Sequence, residues 1–364
     1  MKRLFKKLHL WLSIPVGLII STTCFSGAML IFEKEITALC INTTVDAKEK
    51  ILPIDTLAGI VAENIPNGVE VTGVTITNDP NKAYTVNISK PHHAGIYIDQ
   101  YTGEIMGKKE RLPFFNVMLR LHRWFMDDAP RNGGTWGRPL VGVSTIIFVF
   151  ILITGFAIWL PHNKKLLKNR VKIVSNKGWR RFWYDLHVAG GFYALILLLA
   201  MALTGLTWSF QWYRNSFYNI FGVETAKSAT NNDKKSTKKG EKKERELSFA
   251  HWQAVVDKIA QENPDYKQIS VSNGSATVST ESFGNQRASD KYTFDVKTGE
   301  ITDRIVYENS KPQDKMKGWI YSVHVGSWGG LLTRILYFLV AMLGASLPLT
   351  GYYLWIKRTF IKRK

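Results

Sequence analysis

The sequence predicts a membrane α+β protein, with four transmembrane helices in a duplicated arrangement and two external α+β domains. Three observations predict it. Four runs, 10–32, 139–160, 188–213 and 335–356, contain no Asp, Glu, Lys or Arg. Each is long enough to cross a hydrocarbon core of roughly 30 Å at about 1.5 Å per helical residue. Two long polar segments carry alternating β-type runs, and landmark residues recur at fixed offsets along the chain.

Taken in order, residues 1–34 form a basic segment and the first span. Lys2, Arg3, Lys6 and Lys7 precede the apolar run, which flows into Phe32, Glu33 and Lys34 without a small-x-small cleavage site. It reads as an uncleaved anchor rather than a signal peptide. Residues 35–138 form the first external domain, with the runs VEVTGVTI and AYTVNIS, the turn DQYTGEI, and an interfacial helix, FFNVMLRLHRWFM, that carries His122. The second span covers 139–160 and a basic loop covers 161–186. The third span covers 187–213. Residues 214–330 form the second external domain, with KQISVSNGSATVST, KYTFDV and the turn DVKTGEI, and hold a Lys-rich, solvated insertion at 227–246. The fourth span covers 331–356 and the tail 357–364.

Orientation follows from the short basic segments. The N-terminus, the loop with Lys164, Lys165, Lys168, Arg170, Lys172, Lys177, Arg180 and Arg181, and the tail with Lys357, Arg358, Lys362, Arg363 and Lys364 fall on one side after four crossings. That side is expected to be the cytoplasm, which puts both termini inside and both large domains in the periplasm of a multi-pass inner-membrane protein. Most of the net charge of +19 is thereby topology signal, and no nucleic-acid partner is expected; the immediate partner is membrane lipid. Cys24 and Cys40 are the two cysteines, too few for a disulfide framework. The chain has no C-x-x-C-H, G-x-G-x-x-G or Walker motif, which excludes covalent c-type haem and any internal nucleotide or flavin domain of those types.

The duplication is legible residue by residue. Asp99 and Asp295 open the two Thr-Gly-Glu turns 196 positions apart, and Gly155 and Gly351, Arg138 and Arg334 keep the same offset. At the first span of each half, His9 to Gly27 matches His187 to Gly205, eighteen residues in both cases. The unit is span, external domain, span, repeated in parallel. The Thr-Gly-Glu segments read as hairpin turns, with Gly supplying positive φ.

Four of the eight histidines form a pattern. His9 and His187 stand at the inner mouths of the first and third spans, in RLFKKLH and RFWYDLH; His122 and His324 stand at the outer mouths ahead of the second and fourth. A single membrane-edge histidine reads as an interfacial anchor. Two symmetric pairs point instead to axial ligation of haem iron, one haem b held by His9 and His187 and a second by His122 and His324. Arg138 and Arg334 outside, with Arg3 and Arg181 inside, are candidate partners for haem propionates; the outer two run against the charge bias of topology and carry more information. His92, His93, His162 and His251 have no counterparts and are left out. Trp212, Tyr213, Tyr218, Trp319, Tyr321 and Trp328 read as an aromatic belt at the outer face.

At LHLWLSIPVGLI, SGAMLIFEKEI, YIDQYTGEIMG, LHRWF, DLHVAGGFYALILLLAMALTG, FDVKTGEI and RILYFLVAMLGASLPLTGYYLWIKR the chain resembles the PepSY-associated transmembrane family of iron-regulated membrane proteins. The resemblance covers nearly the whole chain. It implies two PepSY-like external domains, His9, His122, His187 and His324 as haem ligands, and reduction of the iron of a ferric siderophore, or another ferric chelate, in the periplasm. Some members carry fused flavin and nicotinamide domains. This chain has none, so its electron donor is expected to be a separate cytoplasmic reductase or the quinone pool. Two other readings stay open: a PepSY-type binding or regulatory protein without redox cofactor, and a siderophore permease. Spans nearly free of acidic residues and only four in number speak against the permease.

Overall fold

The computed structural model describes residues 1–91, 94–129, 133–224, 249–279 and 284–360. The Lys-rich insertion 227–246, His92, His93, Lys362, Arg363 and Lys364 lie outside the described residues. In chain order the helices are α1 (Lys2–Leu30), α2 (Glu33–Cys40), α3 (Ile54–Asn64), α4 (Pro113–Trp124), α5 (Gly137–Trp159), α6 (Lys164–Arg170), α7 (Trp179–Asp185), α8 (Gly191–Ser209), α9 (Gln211–Ile220), α10 (Trp252–Glu262), α11 (Pro312–Val325) and α12 (Gly330–Thr359). The strands are β1 (Val71–Thr77), β2 (Tyr84–Ile88), β3 (Gly95–Ile98), β4 (Ile105–Lys109), β5 (Gln268–Ser272), β6 (Ser275–Ser279), β7 (Ser289–Phe294) and β8 (Ile301–Ile305). The chain divides into two compact units, one made of Met1–Glu35, Leu112–Gly222 and Trp319–Lys364, the other of Ile36–Arg111 and Val223–Gly318.

The first unit is helical. Among the described residues four helices are long and apolar enough to cross a membrane: Lys2–Leu30, Gly137–Trp159, Trp179–Ser209 and Ser327–Thr359. They pack as a ring in which α1 touches α5 and α12, and α8 touches the same two, so α1 and α8 are diagonal. Val16, Ile20, Phe148, Ile151, Leu152, Ala194, Leu198, Ala202, Val340 and Leu347 fill the centre. Small residues allow close approach: a Cβ on Gly344 would stand 2.7 Å from Leu198, and Gly142 lies under the Phe210 ring. The third span ends at Ser209 rather than at 213, because Phe210 is extended (φ −128, ψ 128) and the chain restarts as α9.

The helices that carry His122 and His324 differ from expectation in their grouping. Leu112–Gly222 and the chain from Trp319 onward cluster with the spans, not with the external segments 35–138 and 214–330. For α4 the cause is packing, since it rests on α1 and α5.

The second unit is one antiparallel sheet of eight strands in the order β4-β3-β2-β1-β5-β6-β7-β8. Each half contributes four strands. The two external segments, expected as separate domains, are therefore continuous through the β1–β5 pair, in register from Gly73↔Ser272 to Thr77↔Gln268. Thr75 and Ser270 hydroxyls bond across this joint at 2.6 Å. Only glycine fits at 73, where a Cβ would stand 2.4 Å from the Val271 carbonyl. One core serves both halves: Leu57, Ala58 and Val61 of α3 and Trp252, Val255, Val256 and Ile259 of α10 pack against Val74, Val86, Ile98, Ile269, Val271, Val278 and Tyr292. The edge strands β4 and β8 carry Lys108, Lys109, Asp303 and Arg304, charges that discourage pairing with another sheet. The Thr-Gly-Glu segments are hairpin turns: Asp99 accepts from the Tyr101 and Thr102 amides, Asp295 from those of Lys297 and Thr298, and Gly103 and Gly299 have φ of 76° and 73°.

Candidate functional site

The four histidines meet in two pairs within the helical unit. The ring centroids of His9 and His187 are 6.3 Å apart with planes at 86°, and those of His122 and His324 are 5.9 Å apart with planes at 53°. Two metal–imidazole bonds of about 2.0–2.1 Å plus two ring radii place centroids about 6 Å apart. Both pairs therefore stand at the separation of two ligands on one first-row metal ion.

All four rings are held by one device. Each Nδ1 faces a main-chain carbonyl of a span: Ile151 at 3.1 Å for His9, Thr23 at 2.8 Å for His122, Leu347 at 3.1 Å for His187 and Met201 at 3.0 Å for His324. A carbonyl only accepts, so Nδ1 carries the proton and Nε2 presents its lone pair. Four residues after each carbonyl comes a glycine. A Cβ on Gly155 would stand 3.1 Å from His9 Cε1, on Gly27 2.7 Å from His122, on Gly351 3.4 Å from His187 and on Gly205 3.1 Å from His324. The missing side chain opens the helix surface, and the imidazole lies in the gap. Just before each glycine stands Thr154, Ser26, Thr350 or Thr204.

Each half supplies its own supports and one imidazole to each pair. His9 leans on α5 and His122 on α1, in the first half; His187 leans on α12 and His324 on α8, in the second. His9 and Gly27 share a face of α1, since eighteen residues make about five turns. The second half departs from regular helix at Leu186–Gly190, a π-turn that contains His187, a distortion common at functional sites. Helix α4 stops just past His122 at Phe125 and Met126, both in the left-handed region (φ 50° and 71°), a conformation costly for side chains of this size. The helix α11 ends instead at Gly326 (φ 73°). Burial, with His122 as a second cause, pushes the His324 imidazole down to about 3, and burial lowers His122 as well, so both rings of this pair are uncharged at physiological pH.

The outer arginines cap helix ends across the two halves. Arg138 Nε donates to the Ser209 carbonyl at 3.0 Å, and Arg334 Nη2 donates to the Ile31 carbonyl, so each reaches the first span of the opposite half. Arg334 also grips both Glu35 oxygens, one at 2.8 Å, and lies over the Phe32 ring. This holds the Glu35 carboxyl below its ordinary range. Arg138 is half-buried, with no carboxylate partner among the described residues. Of the inner arginines, Arg181 pairs with the buried Asp185 at 2.7 Å.

Over residues 6–358 the chain matches the family described as PepSY-associated TM region (PepSY_TM). It belongs to that family. No curated protein shows significant similarity to it.

In this PepSY-associated protein the four histidines paired in the sequence are brought together, whereas His162 is exposed and His251 packs under Gly299 in the sheet unit. Among the described residues no three His, Cys, Asp or Glu side chains converge, so each centre offers two imidazoles. The carbonyl supports and the hydroxyls beside them had a sequence signal: four Ser/Thr-Gly dipeptides, one in each span. Of the residues read as an aromatic belt, Trp212 and Tyr213 join Phe210, Phe217 and Phe221 in a run of ring contacts along α9.

Proposed function

We propose that this PepSY-associated protein is an inner-membrane b-type di-haem protein that passes electrons from the cytoplasmic side to the periplasm and reduces the ferric iron of a siderophore or a similar chelate. Two imidazole pairs at iron-bridging separation, every Nε2 left bare by a carbonyl-bound Nδ1, carry this reading. A pair of neutral imidazoles with no third protein ligand suits a metal whose remaining four positions are filled by a macrocycle. The Thr23 hydroxyl, buried without a hydrogen-bond partner among the described residues beside the carbonyl that holds His122, also fits a polar group bound near the outer pair.

Haem bound at the two pairs supplies reversible one-electron chemistry. The chain's own residues do the rest. His9 and His187 hold one group and His122 and His324 the other; the carbonyls of Ile151, Leu347, Thr23 and Met201 fix ring orientation and protonation; Arg138 offers its unclaimed guanidinium nitrogens to a carboxylate at the outer end. Arg334, committed to Glu35 and Ile31, is the weaker propionate partner of the two. The basic loops argue for cytoplasmic termini and a periplasmic sheet unit. The donor is then a separate cytoplasmic reductase or the quinone pool.

A cofactor-free binding module is the competing reading; it keeps each Nδ1 on its carbonyl but gives the two facing Nε2 atoms of each pair no task in an apolar bundle. The test is direct. Purified full-length protein is expected to be red, with two b-type haems per chain and a low-spin reduced-minus-oxidised spectrum. His9→Ala or His187→Ala should remove one haem, His122→Ala or His324→Ala the other. A colourless protein after haem-replete expression would sink this function.

A further inference from the structure

We propose that the hydroxyls of Thr154, Thr204 and Thr350 are positioning groups that set the donor strength of His9, His324 and His187, and that Ser26 breaks the set and leaves His122 electronically distinct. This rests on the haem reading above and goes beyond it to residues that touch no metal.

In three of the four supports the Nδ1 proton is shared. His9 Nδ1 lies 3.2 Å from Thr154 Oγ1 as well as 3.1 Å from the Ile151 carbonyl. For His187 the hydroxyl is Thr350 at 3.0 Å, and for His324 it is Thr204 at 3.1 Å. Each hydroxyl has its own proton directed to the preceding helical turn: Thr154 to the Phe150 or Ile151 carbonyl at 2.8 and 3.0 Å, Thr204 to Ala200 or Met201 at 2.6 and 3.1 Å, Thr350 to Leu347 at 2.8 Å. With that proton engaged, the oxygen presents a lone pair to the imidazole N–H. Every threonine hydroxyl is thus an acceptor for its histidine.

The fourth support is different. Ser26 is fully buried and makes the same back-bonds, to Thr22 at 2.7 Å and Thr23 at 3.1 Å. Among the described residues it makes no hydrogen bond to His122, whose proton goes to the Thr23 carbonyl alone, at 2.8 Å. The inner pair is symmetric, with two shared protons. The outer pair joins one shared and one unshared.

An acceptor on the far nitrogen of a ligating imidazole raises the basicity of the coordinating nitrogen and favours the more oxidised metal. Removing a threonine hydroxyl should therefore raise the reduction potential of one haem and leave the other alone. Thr204→Val is expected to move only the outer haem; Thr154→Val and Thr350→Val only the inner one. The expected size is a two- to tenfold change in the ferric-to-ferrous equilibrium, tenfold being about 59 mV for one electron. Ser26→Ala should move neither.

The experiment is a spectroelectrochemical titration of the purified full chain, with the two haems assigned from the spectra of His9→Ala and His324→Ala. Serine at the threonine positions keeps the hydroxyl and should restore the parent potential. A valine variant that loses one haem, with serine recovering it, supports the same assignment. Both haems retained at unchanged potentials in all three valine variants, or an equal shift in Ser26→Ala, would overturn it. Wild-type protein with no haem overturns the function reading instead, so the two failures are distinct.

Discussion

His122 lies against Gly27 more tightly than any other of the four histidines lies against its glycine: a Cβ at position 27 would stand 2.7 Å from Cε1 and 2.9 Å from Nδ1. The four gaps rank the cost of filling them. Gly27→Ala should displace His122 and cost about 1–3 kcal/mol, the usual range for overpacking. Gly155→Ala and Gly205→Ala, at 3.1 Å, should be intermediate, and Gly351→Ala, at 3.4 Å, nearly neutral. Thermal melts and haem stoichiometry of the four variants check the order; a Gly351 variant worse than the Gly27 one would contradict the packing.

Arg138 and Arg334 should part company on substitution despite their equivalent places. Arg334→Gln leaves the Ile31 carbonyl and Glu35 without their partner, and about 1–3 kcal/mol of stability should go with them. Arg138→Gln removes a single bond to Ser209 and should melt closer to the parent, while retaining haem less firmly at the outer pair. A double-mutant cycle of Glu35 and Arg334 should give a coupling of no more than about 1 kcal/mol, since the carboxylate is half exposed. Identical melting and haem retention in the two glutamine variants would refute the distinction.

Asp127 caps the second span from ten residues upstream. Its Oδ2 accepts from the amides of Thr135, Trp136 and Gly137 at 3.0, 3.0 and 2.9 Å, which satisfies donors at the start of α5. These bonds hold its carboxyl below the ordinary aspartate value of 3.8. A folded-state value below the unfolded one means the contribution is fully present above about 3.8 and is lost as pH falls through the depressed value. Asp127→Asn should lower the melting temperature at pH 7 and flatten its dependence below pH 4. A variant with the parent's acid profile would exclude this cap as the cause.

Gly73→Ala tests the joint of the sheet. The added methyl meets a main-chain oxygen at 2.4 Å, which cannot swing aside as a side chain does. Hydrogen exchange is expected to quicken in both β1 and β5, while the α1 and α8 amides keep their protection. Unchanged exchange in β5 would mean that the two strands are not partners.

The spans, the duplication and the histidine pairing were legible because each leaves a local mark: a charge-free run, a fixed offset, a polar residue at a membrane edge. The β1–β5 pair leaves none. Val74 and Val271 look like any buried strand residues, and nothing in either run names its partner across almost two hundred positions. Arg138 and Arg334 showed as outliers against the charge bias, but their targets are main-chain carbonyls, which every residue has. The imidazole supports were half visible. Gly27, Gly155, Gly205 and Gly351 stood out as repeat landmarks, while their use as gaps for a ring from another helix depends on packing.

Because each imidazole pair draws one ring from each half, and the sheet joins four strands from each through β1 and β5, a single copy of the repeat is incomplete by itself yet self-complementary. Two identical copies related by a two-fold axis would assemble both imidazole pairs and eight paired strands with no further parts. A fused gene relaxes the identity that a homodimer imposes. Ser26 opposite Thr204, and Glu35 opposite Tyr213, are places where the two halves differ, and both lie toward the end of the bundle that holds His122 and His324.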